Sequence, residues 1–257
     1  AVASSLPSLL LYKSSVYNRR MNKTKKFQKV FCLPGEKLPQ LKDGFRQHFE
    51  KRISKITAEF IRGFNFVSGL KKAVGIFGST RASEKNHYYQ EARKLAKILA
   101  EAGYAVITGG GPGIMEAANR GAAEGGGESI GLNIKLREWQ KINKFVKKSI
   151  GFDYLFVRKI MFSSAAQVYV FFPGGFGTLD EFFEMIMLIQ TKEIRQQVLV
   201  INVGKDYWGP LFSWLEKEVY QKRKAVSQDD LKIFHLVDSA KEAFEIIKKH
   251  NLNNNHK

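Results

Sequence analysis

The run Gln167-Val168-Tyr169-Val170-Phe171-Phe172 constrains the fold more than any other stretch, because from Val168 onward it offers no polar face. A strand of that kind is buried on both sides, as in a parallel sheet covered by helices. Pro173 ends the run, and a loop carrying Gly174, Gly175 and Gly177 leads straight into a helix expected over 178–190. Apolar runs at 73–78, 104–108, 129–134, 198–203 and 233–237 repeat the signal. Helical patterns at 87–102, 114–123, 154–165, 208–221 and 240–250 separate them, while the basic stretch from Lys135 to Lys148 reads as irregular. Strands alternating with helices predict an α/β fold, a doubly wound, Rossmann-like parallel sheet with helices on both faces. Ligands of such sheets bind beyond the carboxyl ends of the strands, the edge on which the glycine loops 109–113 and 174–177 both fall.

The chain has 257 residues, 44% of them hydrophobic, enough for one large α/β domain. Its division is expected near residue 44, with a basic leader before it and a single nucleotide-binding domain over 45–257. Phe49, Ile53, Ile56, Phe60 and Ile61 place the domain's first helix at 45–66. Of the net charge of +18, residues 1–72 hold 16 Lys+Arg against 4 acids, and the rest 26 against 20. Such a leader reads either as a solvated tail or as an electrostatic hold on nucleic acid, but no RNA-binding motif, zinc knuckle or helix-turn-helix accompanies it. No acid precedes Glu36, so 1–35 resembles a transit peptide in composition; position 1 is not Met, and Met21 offers another start. The apolar run from Leu6 to Leu11 is too short to span a membrane. The expected location is the cytoplasm, with organellar targeting by the leader as the alternative. Cys32 stands alone and His48, His87, His235, His250 and His256 are scattered, so neither a disulfide framework nor a metal site is expected.

Glycines let backbone approach a ligand, and a helix start presents free N–H groups and the positive end of the macrodipole, so the loop at 173–177 suits a phosphate. Thr178 with Glu181 also spells a capping box, in which both side chains serve only the helix end. Gly109, Gly111 and Ile114 miss the third glycine of a dinucleotide fingerprint, and neither loop continues into Gly-Lys-Ser/Thr. Two phosphate-suited loops without either fingerprint point to a mononucleotide or a sugar phosphate.

The segments Gly109-Gly110-Gly111-Pro112-Gly113-Ile114-Met115-Glu116-Ala117-Ala118-Asn119 and Pro173-Gly174-Gly175-Phe176-Gly177-Thr178-Leu179-Asp180-Glu181, with Ile76-Phe77-Gly78-Ser79-Thr80-Arg81 and Phe156-Val157-Arg158-Lys159, resemble the Lonely Guy (LOG) family, often labelled lysine decarboxylases. The resemblance runs from about Ile53 to Ile247. It implies a homodimeric phosphoribohydrolase that cleaves the N-glycosidic bond of a cytokinin riboside or other purine nucleoside 5'-monophosphate, giving free base and ribose 5-phosphate without a cofactor. Oxocarbenium-like charge on the ribose calls for a carboxylate that also activates water, and Glu181 is the candidate. By the resemblance Arg158 is the second catalytic residue and Lys159 contacts the nucleotide. Gly174, Gly175, Gly177 and Thr178 would hold the phosphate. Ser79, Gly109, Gly110, Gly111 and Gly113 would line the same cleft, with Glu184, one turn from Glu181, sharing it. The helix of Phe182-Phe183-Glu184-Met185-Ile186-Met187-Leu188-Ile189 is apolar nearly all round, which predicts burial on every side, within one core or at a dimer contact. Decarboxylation is rejected, since no lysine has a recognisable Schiff-base setting for a pyridoxal cofactor.

Two places depart from the family pattern. Relatives usually read Ile-Glu-Leu-Pro-x-Glu-Gln where this chain has Ile134-Lys135-Leu136-Arg137-Glu138-Trp139-Gln140, putting Trp139 where a nucleotide-contacting glutamate is expected, and Met187 replaces a usual threonine. Three functions follow for testing: the hydrolase, a non-catalytic nucleotide- or cofactor-binding module of the same fold, and a nucleic-acid binder using the leader.

Overall fold

The computed structural model describes residues 43–70, 72–135, 141–194 and 198–254. The chain divides between Lys51 and Arg52, and everything below concerns the unit that begins at Arg52. Among the described residues, seven strands form one all-parallel sheet in the order β4-β3-β2-β1-β5-β6-β7. They are β1 (Ala73–Phe77), β2 (Ala105–Thr108), β3 (Ser129–Ile134), β4 (Lys148–Phe152), β5 (Val168–Phe171), β6 (Leu199–Val203) and β7 (Phe234–Val237). Around them lie α1 (Asp43–Val67), α2 (His87–Glu101), α3 (Ile114–Glu124), α4 (Leu155–Ala165), α5 (Phe176–Gln190), α6 (Lys205–Trp214) and α7 (Ala240–Asn254). The fold is the doubly wound α/β class that the alternation predicts.

Strands β1, β2, β3, β5 and β6 are buried at every residue. Successive residues then feed opposite faces. On one, Val74, Ile76, Val170 and Ile201 pack with Leu95 and Leu99 of α2, Ala118 of α3 and Ile247 of α7. On the other, Phe77, Phe171 and Val200 pack with Val157 and Met161 of α4, Phe182 and Met185 of α5 and Trp208 of α6. The chain winds outward from β1 to β4, returns to β5 beside β1, with Phe77 opposite Phe171, and winds outward again to β7. A crevice opens where the winding reverses, between β1 and β5.

Three local expectations are corrected. The stretch read as irregular through Lys148 ends at an edge strand that the sequence reading left out, β4, whose Lys148 and Ser149 are exposed while Ile150 and Phe152 are buried, so its signal is an alternation and not a continuous run. The helix expected over 208–221 starts at Lys205, ends as an α-helix at Trp214 and continues as a π-helix, Leu215–Lys222. The third concerns α5, which starts at Phe176 with Gly175 as its N-cap residue and no side-chain cap. Thr178 therefore sits third in the helix, and the Thr178–Glu181 capping box does not form. No helix among the described residues is long and apolar enough to cross a membrane.

Candidate functional site

A cleft of about 970 Å³ opens at the carboxyl ends of β1, β2 and β5, with Ser79, Gly109, Arg158, Gly174, Gly175, Gly177, Thr178 and Glu181 on its walls. One end is built to meet an anion. Ser79 N donates to the Pro173 carbonyl at 2.9 Å, and Tyr207 Oη donates to the Gly174 carbonyl at 2.6 Å. Both carbonyls of the loop are thus tied to protein donors. The first four amides of a helix have no acceptor within it, and those of Thr178 and Leu179 are taken by the Gly175 carbonyl. No side chain caps the helix start, which leaves its positive end facing the cleft. Gly174 lies so close to Thr178 that a Cβ added there would collide with the threonine hydroxyl.

The second glycine loop serves the first. Gly113 has φ +72° and is the N-cap residue of α3, where a Cβ would strike the Ser79 carbonyl, while Ile114 N donates to that same oxygen at 2.9 Å. Gly109 faces the cleft, but Gly110, Gly111 and Gly113 are not among its lining residues. Instead the Gly110 amide donates to Thr108 Oγ1 at 2.9 Å, and Asn143 donates its backbone amide to the Gly110 carbonyl at 2.8 Å and its Nδ2 to that of Gly111 at 2.9 Å. Buried Asn119 closes the clamp, its Oδ1 accepting from Thr108 Oγ1 at 2.7 Å and from Asn143 Nδ2 at 2.9 Å. The only sequence signal for it is an asparagine on the apolar face of a helix.

At the other end stand Glu181 and Arg158. Glu181 is 6% exposed, and among the described residues no hydrogen bond or ion pair reaches its carboxylate. Burial first and the neighbouring charge of Glu184 second push it up to about 7, against the pull of Arg158 and Lys159. Arg158 has a buried Nε without a partner, and its guanidinium lies 5.5 Å from the Phe162 ring centroid. Burial lowers its pKa, and Glu181 opposes that effect. Lys159 Nζ turns away to Asp180 at 2.7 Å and Glu184 at 3.3 Å, and neither Lys159 nor Glu184 lines the cleft. Helix α4, which carries Arg158 and Lys159, has no local cap; Glu59 of α1 supplies one from a distance, accepting from Asp153 N at 2.6 Å and Tyr154 N at 3.3 Å. Sequence reading missed Glu59, Asn143 and Tyr207, whose partners lie far along the chain. Arg137, Glu138 and Trp139 lie outside the described residues; Met187 is half-exposed on α5.

The fold and this site define an α/β protein with an anion-suited helix start at the switch point of its sheet, facing a buried, unpaired Glu181 and a half-buried, unpaired Arg158. The model of the family described as possible lysine decarboxylase matches residues 115–247, just over half of the chain. The chain belongs to that family, the LOG family its motifs resemble. It is similar to the rice (Oryza sativa subsp. japonica) protein named probable cytokinin riboside 5'-monophosphate phosphoribohydrolase LOGL5, 27% identical over 154 residues, 58% of this chain and 61% of that one. It is also similar to the cytokinin riboside 5'-monophosphate phosphoribohydrolase LOG1 of Arabidopsis thaliana, 26% identical over 180 residues, 69% and 82% of the two chains. The match thus spans about three fifths of the rice protein's length. Among solved structures, the molybdenum cofactor carrier protein of Chlamydomonas reinhardtii superposes with a TM-score of 0.54 at 20% identity, over 71% of this chain and 99% of that one. The molybdenum cofactor binding protein of Rippkaea orientalis gives 0.52 at 21%, over 70% and 96%. These two likenesses establish the shared fold alone.

Proposed function

We propose that this protein hydrolyses the N-glycosidic bond of a purine nucleoside 5'-monophosphate, releasing free base and ribose 5-phosphate. The observation that carries the reading is the buried, unpaired Glu181 carboxyl beside the unpaired Arg158, across one cleft from the uncapped start of α5. The 5'-phosphate sits on the amides of Gly175, Phe176 and Gly177 and on the Thr178 hydroxyl, where the helix dipole favours an anion. That places the ribose near Glu181. As the C1'–N bond breaks, the ionised carboxylate stabilises the oxocarbenium-like ribose and takes a proton from the attacking water; the base leaves with the bond's electron pair and takes a proton from solvent, to which the carboxyl returns its own. The Arg158 guanidinium orients the nucleotide and supports the leaving base. The names of the plant relatives agree with this chemistry. The exposed apolar side chains of α4 and α5 support a homodimer, with the cleft near the contact.

A second reading is a carrier that binds a nucleotide-like ligand in the same cleft without turnover, for which the unpaired Arg158 and Glu181 serve as binding groups alone. One experiment separates the two. The chain is incubated with AMP or isopentenyladenosine 5'-monophosphate, with Glu181→Gln in parallel, and base and ribose 5-phosphate are assayed. Release that the variant loses supports the hydrolase. Saturable binding with no product supports the carrier.

A further inference from the structure

Three carboxylates on α5, those of Asp180, Glu181 and Glu184, face two cations on α4, Arg158 and Lys159, yet the pairing among them is one-sided. Lys159 Nζ holds Asp180 at 2.7 Å and Glu184 at 3.3 Å, while among the described residues no ion pair reaches Arg158 or Glu181. The Lys159 and Glu184 side chains are 18% and 20% exposed, so their contact is less screened than a surface pair; Asp180, at 55%, forms the outer half. A guanidinium binds carboxylates bidentately and holds them well, and Arg158 keeps a buried, unpartnered Nε. A carboxylate released from Lys159 would therefore find a ready partner in Arg158, and that pair would occupy the group the cleft presents to a ligand. Glu184, one turn from Glu181, would also face it as an uncompensated like charge.

We propose that Lys159 is a positioning residue: by holding Asp180 and Glu184 it keeps the first off Arg158 and the second away from Glu181, so that guanidinium and buried carboxyl stay free for the ligand. The ligand's identity rests on the hydrolase reading; the arrangement of charges does not. The groups facing Glu181 are Arg158 and Lys159 from α4, Asp180 and Glu184 on α5, and the Tyr169 phenol from β5. Glu184 raises Glu181 and Lys159 opposes it.

The test is a carbon-13 NMR titration of the glutamate side chains in the full chain, with the Glu181 signal assigned from Glu181→Gln. In Lys159→Met the Glu181 midpoint rises by about one pH unit, the scale of losing a near counter-charge. Lys159→Arg keeps the wild-type midpoint, and adding Glu184→Gln to Lys159→Met returns it there. A midpoint that stays put in Lys159→Met overturns the proposal. So does an equal rise with and without Glu184, which would leave Lys159 acting on Glu181 by its own charge alone, with no part for the carboxylates it holds. If Lys159→Met does not fold, Lys159→Gln, which keeps a polar head without the charge, is titrated in its place, and an unchanged midpoint there overturns the proposal. The pH profile of base release moves with the midpoint. Wild-type protein that releases no base sinks the hydrolase reading and leaves the titration to decide on Lys159.

Discussion

Glu181 concentrates the cost and the use of this site in one side chain. Its folded pKa, about 7, lies above the unfolded value of about 4.3, so the fold favours the protonated form. Stability from this group is therefore full below the unfolded value and falls as pH rises from about 4.3 to about 7. Glu181→Gln keeps the shape and removes the ionisation, so its melting temperature matches the wild type near pH 4 and exceeds it at pH 8, where its stability is higher by roughly 1–3 kcal/mol. Equal melting at pH 8 would mean that Glu181 is not held away from solvent. The same variant loses about 100-fold or more in base release, the scale of a general base. Under the proposed mechanism the carboxylate is the working form, so wild-type release is expected to rise as pH passes through about 7.

At the scale of elements, the site depends on two ties that cross the fold. Glu59 caps α4 from α1, and without its carboxylate the Asp153 and Tyr154 amides lose their acceptor. Glu59→Ala is expected to cost about 1–3 kcal/mol in denaturant unfolding, with a rise in KM as Arg158 loses its fixed position. Tyr207 ties the glycine loop at 173–177 to α6, and Tyr207→Phe leaves the Gly174 carbonyl without its donor. That variant raises the Kd for a nucleoside monophosphate several-fold, leaves that for the unphosphorylated nucleoside unchanged, and is read by calorimetry with AMP and adenosine. These ties also mark where the sequence ceases to be legible. Five strands buried at every residue, and their glycine loops, were readable because apolar residues dominate both faces, with Thr108, Ser129, Asn133 and Asn202 as the buried polar exceptions. Edge strand β4 was not, since Lys148 and Ser149 face solvent and only Ile150 and Phe152 keep the alternation. Arg158 and Glu181 were legible through their motifs, whereas Glu59 to Asp153 and Tyr207 to Gly174 are contacts between distant positions that no local pattern encodes. The capping box misled because Thr178 and Glu181 have its spacing, but Gly175 takes the cap and the helix begins earlier.

At the scale of the whole molecule, α5 is not buried on every side within one chain. Phe182 and Met185 enter the core, while Phe183 is 41% and Met187 52% exposed. On α4, Leu155, Phe156 and Ile160 are exposed as well, and the Lys159 ion pairs hold the two helices side by side. Leu155 and the outward-facing Phe176 also line the cleft, so the apolar surface runs from these helices to the rim of the site. A second copy covering it would bury both helices and wall the cleft in one step, the arrangement the family resemblance implies. Stable homodimers commonly bury about 1,200–2,000 Å² or more with an apolar centre, so charges placed there are strongly opposed. Phe183→Asp/Met187→Lys is therefore expected to convert a dimer to a monomer in sedimentation, with the circular dichroism of the folded chain retained, because neither side chain belongs to the core. Base release would fall with the dimer fraction, and raising protein concentration would restore it. A wild-type chain that sediments as a monomer at every concentration would reject the dimer, and the apolar rim would then need a different partner.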